Sequence, residues 1–120
     1  MIIGIGCDLI DIQRIESAMQ RPRFLDRLYT EPERARIAER GADTAAGLFA
    51  AKEAASKALG TGFRGFFACD IEVIWDELGK PRVNLHGGAK AQFEQIGGKS
   101  IHLSISHAAG FAQAFVVVEG

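Results

Sequence analysis

Asp8, Glu53, Lys57 and the pair Ser106-His107 are the side chains whose types and placement could do chemistry together. Two separate carboxylates with free space between them suit a hard cation such as Mg²⁺. That ion keeps several waters and takes one or two carboxylates plus phosphate oxygens. Glu53 and Lys57 are four positions apart, so on a helix they sit one turn apart on one face. An ammonium there can neutralise phosphate charge. The same spacing also describes an exposed Glu–Lys pair worth a few tenths of a kcal/mol. Asp8 could equally cap a following helix, and a lone histidine is commonly a hydrogen-bonded structural residue. The side chains alone leave these readings side by side.

The elements that must position them follow from periodicity. Phe49 to Gly60 is rich in alanine, with Leu, Lys and Glu, and predicts a helix from about Thr44 to Leu59 that stops at Gly60. At 100° per residue Ala51, Ala54, Ala55 and Ala58 fall in a narrow stripe beside Leu48 and Leu59, through which the helix should pack on a sheet. Phe49, Glu53, Ser56 and Lys57 cluster on a different face. Residues 2–11 alternate as a strand, with Ile3, Ile5, Cys7 and Leu9 on one face. Gly4, Gly6 and Asp8 share the other with Ile10, leaving the backbone nearly bare for a close approach.

A helix over 12–21 is expected next, with Ile12, Ile15 and Met19 inward, Arg14 and Arg21 almost opposite, and Pro22 as its stop. A short helical piece carries Arg23 and Arg27 outside. Thr30-Glu31-Pro32-Glu33 reads as a capping box starting a helix to about Arg40. After the central helix, Gly60 to Gly65 forms a loop whose glycines could turn amides toward a phosphate, though it matches no nucleotide-binding fingerprint. Asp70–Glu77 and Arg82–Leu85 read as a hairpin, Gly87–Ile96 as a helix, and Ile101–His107 and Phe111–Glu119 as two further strands. The last is apolar on nearly both faces, which suits a central strand or a subunit interface. The order β-ααα-β-β-α-β-β predicts one α+β domain over residues 1–120, a mostly antiparallel sheet packed against the long central helix.

Composition limits the function classes. The chain has 120 residues and a net charge of −1, so no global field draws it to nucleic acid or to a membrane surface. Seven of its nine arginines lie in the first forty residues, whereas all five lysines come later. Cys7 and Cys69 lack zinc-like spacing, and reduced thiols in a cytoplasmic protein are expected. No signal segment or membrane-length apolar run is read from the sequence.

Three stretches together resemble one family. They are Gly4-Ile5-Gly6-Cys7-Asp8-Leu9 with Arg14-Ile15-Glu16; Phe49-Ala50-Ala51-Lys52-Glu53-Ala54-Ala55-Ser56-Lys57-Ala58-Leu59-Gly60; and Leu103-Ser104-Ile105-Ser106-His107. They resemble the 4′-phosphopantetheinyl transferases, in motif order and size the small holo-[acyl-carrier-protein] synthase type. The resemblance implies Mg²⁺-dependent transfer of the phosphopantetheine arm of coenzyme A to a serine of an apo acyl carrier protein, releasing adenosine 3′,5′-bisphosphate. It implies that Asp8 and Glu53 hold Mg²⁺, that Glu53 takes the serine proton directly or through a metal-bound water, and that Lys57, Ser56, Gly60 and His107 bind coenzyme A. It also implies a homotrimer with coenzyme A at the subunit interface. Arg14, Arg21, Arg23 and Arg27 are the expected docking surface for the acidic carrier. Two other readings compete: a non-catalytic module binding an acidic protein, and a Mg²⁺-dependent nucleotide or pyrophosphate hydrolase.

Overall fold

The computed structural model describes residues 1–120. Strand β1 (Ile2–Asp11) leads into helices α1 (Ile12–Ala18), α2 (Phe24–Leu28), α3 (Glu31–Arg40) and α4 (Ala42–Ala58). A single 3-10 turn, Ala68–Asp70, precedes the hairpin β2 (Ile71–Trp75) and β3 (Pro81–Leu85). Helix α5 (Gly87–Gln95) and strands β4 (Ser100–Ala108) and β5 (Phe111–Glu119) complete the chain. The α+β class and the antiparallel pairing are as the sequence implies. The strands nevertheless form two sheets: a three-stranded one in the order β1-β5-β4, and the β2–β3 hairpin by itself.

Central strand β5 turns Ala112, Ala114, Val116 and Val118, all fully buried, toward α4. The register places Gly6 opposite Val116 and Asp8 opposite Ala114, so both lie on the helix-facing side of the sheet. That side of β1 is bare because α4 lies directly upon it. A Cβ at Gly6 would overlap the carbonyl oxygen of Ala54 and stand 2.9 Å from the Ala58 nitrogen, while one at Gly4 would overlap the Ala58 carbonyl oxygen. The close approach is therefore made by a helix backbone.

Helix α4 is buried on more than its alanine stripe. Ala51, Ala54, Ala55 and Ala58 are buried as expected, but Ala45, Ala46, Lys52 and Ser56 are buried too. Helix α3, the hairpin and the sheet together surround it. Gly41, at φ 94°, closes α3 and opens α4 without an intervening loop, which starts α4 two residues before Thr44. The capping box at Thr30 forms: the Thr30 N–H donates to Glu33 Oε1 at 2.8 Å, and the Glu33 N–H donates to Thr30 Oγ1 at 3.4 Å.

Helix α1 is shorter than its apolar spacing suggests. It ends at Ala18, and the N–H groups of Gln20 and Arg21 donate three residues back, to Ser17 and Ala18. Pro22 disfavours helical geometry at the residue before it, and Arg23 then turns left-handed at φ 69°. Arg21 consequently lies beyond the helix and does not share a helical face with Arg14. The β2 strand is likewise trimmed: the 3-10 turn takes its start, and Asp76 Oδ1 accepts from the N–H groups of Leu78 and Lys80, both at 2.9 Å, to build the tight turn.

Candidate active site

Three of the expected site residues meet where β1 crosses the C-terminal half of α4. Alternation along β1 turns Asp8 toward the helix, and the glycines before it let the helix come close enough to face it. The Lys57 Nζ donates to Asp8 Oδ1 at 3.1 Å and to the Cys7 carbonyl at 3.0 Å. Asp8 Oδ2 is buried and has no hydrogen-bond partner. A buried, unpaired carboxylate oxygen is costly unless something else satisfies it. Glu53, one helical turn before Lys57, is half-buried on the same face. Burial raises its carboxyl above the ordinary value, the Asp8 charge raises it further, and Lys57 pulls it partly back. Two carboxylates near enough to feel each other, one with an orphaned oxygen, fit the sparse protein coordination of Mg²⁺. No group of three or more His, Cys, Asp or Glu side chains gathers into a fuller metal cage.

The other expected ligands are placed differently. Ser56 is fully buried, and its hydroxyl donates to the Glu53 carbonyl at 2.7 Å, so it does not share the open face with Glu53 and Lys57. Its wheel position borders the buried side, and back-bonding within a helix satisfies a serine there. Gly60, at φ 88°, ends the helix beside Lys57, its N–H donating to the Lys57 carbonyl at 3.0 Å. The loop after it folds back, with the Gly62 N–H on the Ser56 carbonyl at 3.1 Å.

His107 stands apart. A nitrogen of its ring, Nε2, lies 2.8 Å from the Asp43 carbonyl, over Gly47 in the first half of α4. Asp43 precedes Glu53 by ten residues, about 15 Å along the helix axis. Within one chain, then, His107 does not join Asp8, Glu53 and Lys57. It lines a cleft of about 680 Å³ with Asp11, Glu16, Asp43 and Phe111, and a larger one of about 920 Å³ runs between β3 and β4. Neither cleft includes Asp8, Glu53 or Lys57.

The four arginines expected to dock a partner are all exposed. None has a carboxylate within ion-pair distance, and Asp26 pairs with Arg34 at 3.7 Å instead.

The motif also holds a residue that its spacing could have revealed. Lys52, next to Glu53, lies on the stripe of Leu48, Ala55 and Leu59 at helical intervals of three and four. It is fully buried, with Nζ 2.8 Å from Glu33 Oε1 and donating to the carbonyls of Ala68 at 3.1 Å and Ile71 at 2.6 Å. Glu33 Oε2 accepts from the Val73 N–H at 2.9 Å. This network fastens α3, α4 and the hairpin together. Burial pulls the Lys52 ammonium below its ordinary value while Glu33 holds it up. Tyr29, whose hydroxyl donates to the Ala45 carbonyl at 2.8 Å, is pushed up by burial and by the same Glu33 charge.

Known proteins with this pattern agree on the family. Residues 4–115 match the model of the 4′-phosphopantetheinyl transferase superfamily. A holo-[acyl-carrier-protein] synthase of Clostridium perfringens (strain 13) is 49% identical over 127 residues, spanning 100% of this chain and 96% of that protein. The crystal structure of the holo-[acyl-carrier-protein] synthase from Neisseria meningitidis superposes with a TM-score of 0.91 at 34% identity, covering 100% of each chain. The Helicobacter pylori holo-[acyl-carrier-protein] synthase, solved in complex with coenzyme A, gives a TM-score of 0.86 at 36% identity over 96% of this chain and 99% of that one. The chain belongs to the 4′-phosphopantetheinyl transferase superfamily and is an enzyme of its holo-[acyl-carrier-protein] synthase group.

Proposed function

We propose that the chain transfers the 4′-phosphopantetheine moiety of coenzyme A to a serine hydroxyl of an apo acyl carrier protein in a Mg²⁺-dependent reaction that releases adenosine 3′,5′-bisphosphate. The observation that carries the site is the pairing of Asp8, with its buried and unpartnered Oδ2, against Glu53 and Lys57 on the facing helix. Asp8 and Glu53 are the residues that would hold Mg²⁺. When bound there, the ion supplies positive charge for the pyrophosphate and for the phosphate that leaves. Lys57 is long and half-exposed, and it supplies a further cation to the phosphate oxygens. The serine oxygen bonds to the phosphorus that carries the pantetheine, the pyrophosphate P–O bond breaks, and the nucleotide departs with that oxygen. Glu53 accepts the serine proton.

Lys57 is half-exposed beside Asp8, and His107 lies at the other end of the helix. Both features suit a site completed by a neighbouring copy, and a homotrimer with coenzyme A at the subunit interface is part of the proposal. The outer face of the three-stranded sheet favours such an assembly: Ile5 and Leu9 are each 60% exposed, with Phe111 and Phe115 beside them. In that arrangement Gly60 and His107 line the ligand, while Ser56, buried and bonded to the Glu53 carbonyl within α4, does not. The unpaired Arg14, Arg21, Arg23 and Arg27 form the docking face for the acidic carrier. No helix is long and apolar enough to cross a membrane, both cysteines are free, and a cytoplasmic site of action is proposed with the rest.

Mass spectrometry of an apo carrier incubated with the protein, coenzyme A and Mg²⁺ tests the reading. The expected result is a gain of one phosphopantetheine group on the carrier. No gain would overturn it, and cleavage of coenzyme A with no carrier present would favour the hydrolase.

A further inference from the structure

Lys57, proposed above to reach the phosphates, also holds Asp8, one of the two carboxylates proposed to bind metal. Lys57 Nζ is anchored twice on β1, at 3.1 Å to Asp8 Oδ1 and at 3.0 Å to the Cys7 carbonyl. The two ends of this contact differ: the Asp8 side chain is 15% exposed and that of Lys57 is 52% exposed. The carboxylate is thus fixed and sheltered, whereas the ammonium sits at the end of a flexible stem that opens to solvent. Its hold on Oδ1 leaves only Oδ2 free, and Oδ2 is the atom with no partner. A divalent ion arriving at Oδ2 would share one carboxylate with a cation already in place.

We infer that Lys57 is the resident counter-cation of the Asp8–Glu53 pair in the ligand-free chain, that it weakens divalent-metal binding there, and that a pyrophosphate relieves this by drawing the ammonium onto its own oxygens. The inference rests on the metal-pair reading given above. Metal and coenzyme A then bind with positive coupling through Lys57, and coupling of this kind acts equally in both directions. One functional consequence is selectivity in assembly: metal stays weakly held until the phosphorylated substrate arrives. A unit charge about 4 Å from a divalent ion changes its affinity by about tenfold or more even where water screens it strongly.

Binding of Mn²⁺ to the full chain, read from the electron paramagnetic resonance signal of the free ion, tests this directly. It is measured with and without coenzyme A for the native protein and for Lys57→Gln, Lys57→Arg and Asp8→Asn. Without coenzyme A, Lys57→Gln is expected to bind Mn²⁺ about tenfold more tightly than the native protein, while Lys57→Arg, which keeps the charge, stays near native. The factor by which coenzyme A tightens Mn²⁺ binding is expected to shrink in Lys57→Gln by a similar amount. Equal or weaker Mn²⁺ binding by Lys57→Gln in the absence of coenzyme A overturns the inference. Asp8→Asn should lose most of its Mn²⁺ affinity, and if it does not, the metal pair itself is wrong, a result separate from failure of the lysine's role.

Discussion

A single methyl group added at Gly6 should pry the two halves of the site apart. In Gly6→Ala the new Cβ would overlap the Ala54 carbonyl oxygen and lie 2.8 Å from its carbon and 2.9 Å from the Ala58 nitrogen. Carbon contacts settle near 3.5 Å, so the strand and helix must part by at least ~0.7 Å. All the crowded atoms are backbone, so no side chain can swing aside. Overpacking of this kind typically costs about 1–3 kcal/mol, and a backbone clash belongs at or beyond the top of that range. The same separation moves Asp8 on β1 away from Glu53 on α4 and so splits the proposed metal pair. Denaturant unfolding should therefore show a loss of about 3 kcal/mol or more, and Mn²⁺ affinity should fall with it. Gly47→Ala is the graded comparison, since its Cβ would stand 3.0 Å from His107 Nε2, the end of a movable side chain. Its crowding is offset by the gain of about 0.5–1 kcal/mol for alanine over glycine within a helix. A Gly6→Ala protein no less stable than Gly47→Ala, with native metal affinity, would refute the packing argument.

Lys52→Met should cost about 3–5 kcal/mol in denaturant unfolding, because it leaves the buried Glu33 carboxylate without its cation; adding Glu33→Gln should recover part of that loss. The β4–β5 turn places Ala109 at φ 53° and Gly110 at φ 82°, so Ala109→Asn should stabilise the fold by about 1 kcal/mol, read as a rise in the unfolding midpoint. Arg14→Glu, at an exposed and unpaired position, should raise the Michaelis constant for the carrier most strongly at low salt while coenzyme A affinity barely moves. A parallel loss of coenzyme A binding would place Arg14 inside the ligand groove.

Local pattern carried much of this structure. Alternation along β1 put Asp8 with Gly4 and Gly6, and the alanine-rich helix put Glu53 and Lys57 on one face; the fold then brings those two faces together. Strand β5 spans Phe111–Glu119, as its composition suggests. What was not legible depends on contacts between distant segments. The bareness of β1 reads equally as room for a ligand or for a helix, and only the tertiary fold shows the backbone of Ala54 and Ala58 lying there. Ser56 sits at the edge of a wheel sector, where a few degrees decide between groove and core, and the surrounding α3 and hairpin bury it. Helical spacing puts Lys52 on the buried stripe, but its partner, Glu33, is 19 residues away and only the tertiary fold identifies it. The resemblance implies that His107 binds phosphate, and the sequence does not show that within one chain its neighbour is Asp43, 64 positions earlier. The division into two sheets arises because β3 pairs only with β2, a choice that alternation within a strand does not encode.

The most direct test of the catalytic assignment is the rate of phosphopantetheine transfer to an apo carrier at limiting Mg²⁺ for Asp8→Asn and Glu53→Gln, each confirmed folded by its denaturation curve. Both replacements preserve side-chain shape, so the fold should survive. Each should lower the rate by about 10²–10⁴, the scale of losing a charge-stabilising group or a general base. Near-native turnover by both variants under those conditions would contradict the assignment of Asp8 and Glu53 as the centre of the site.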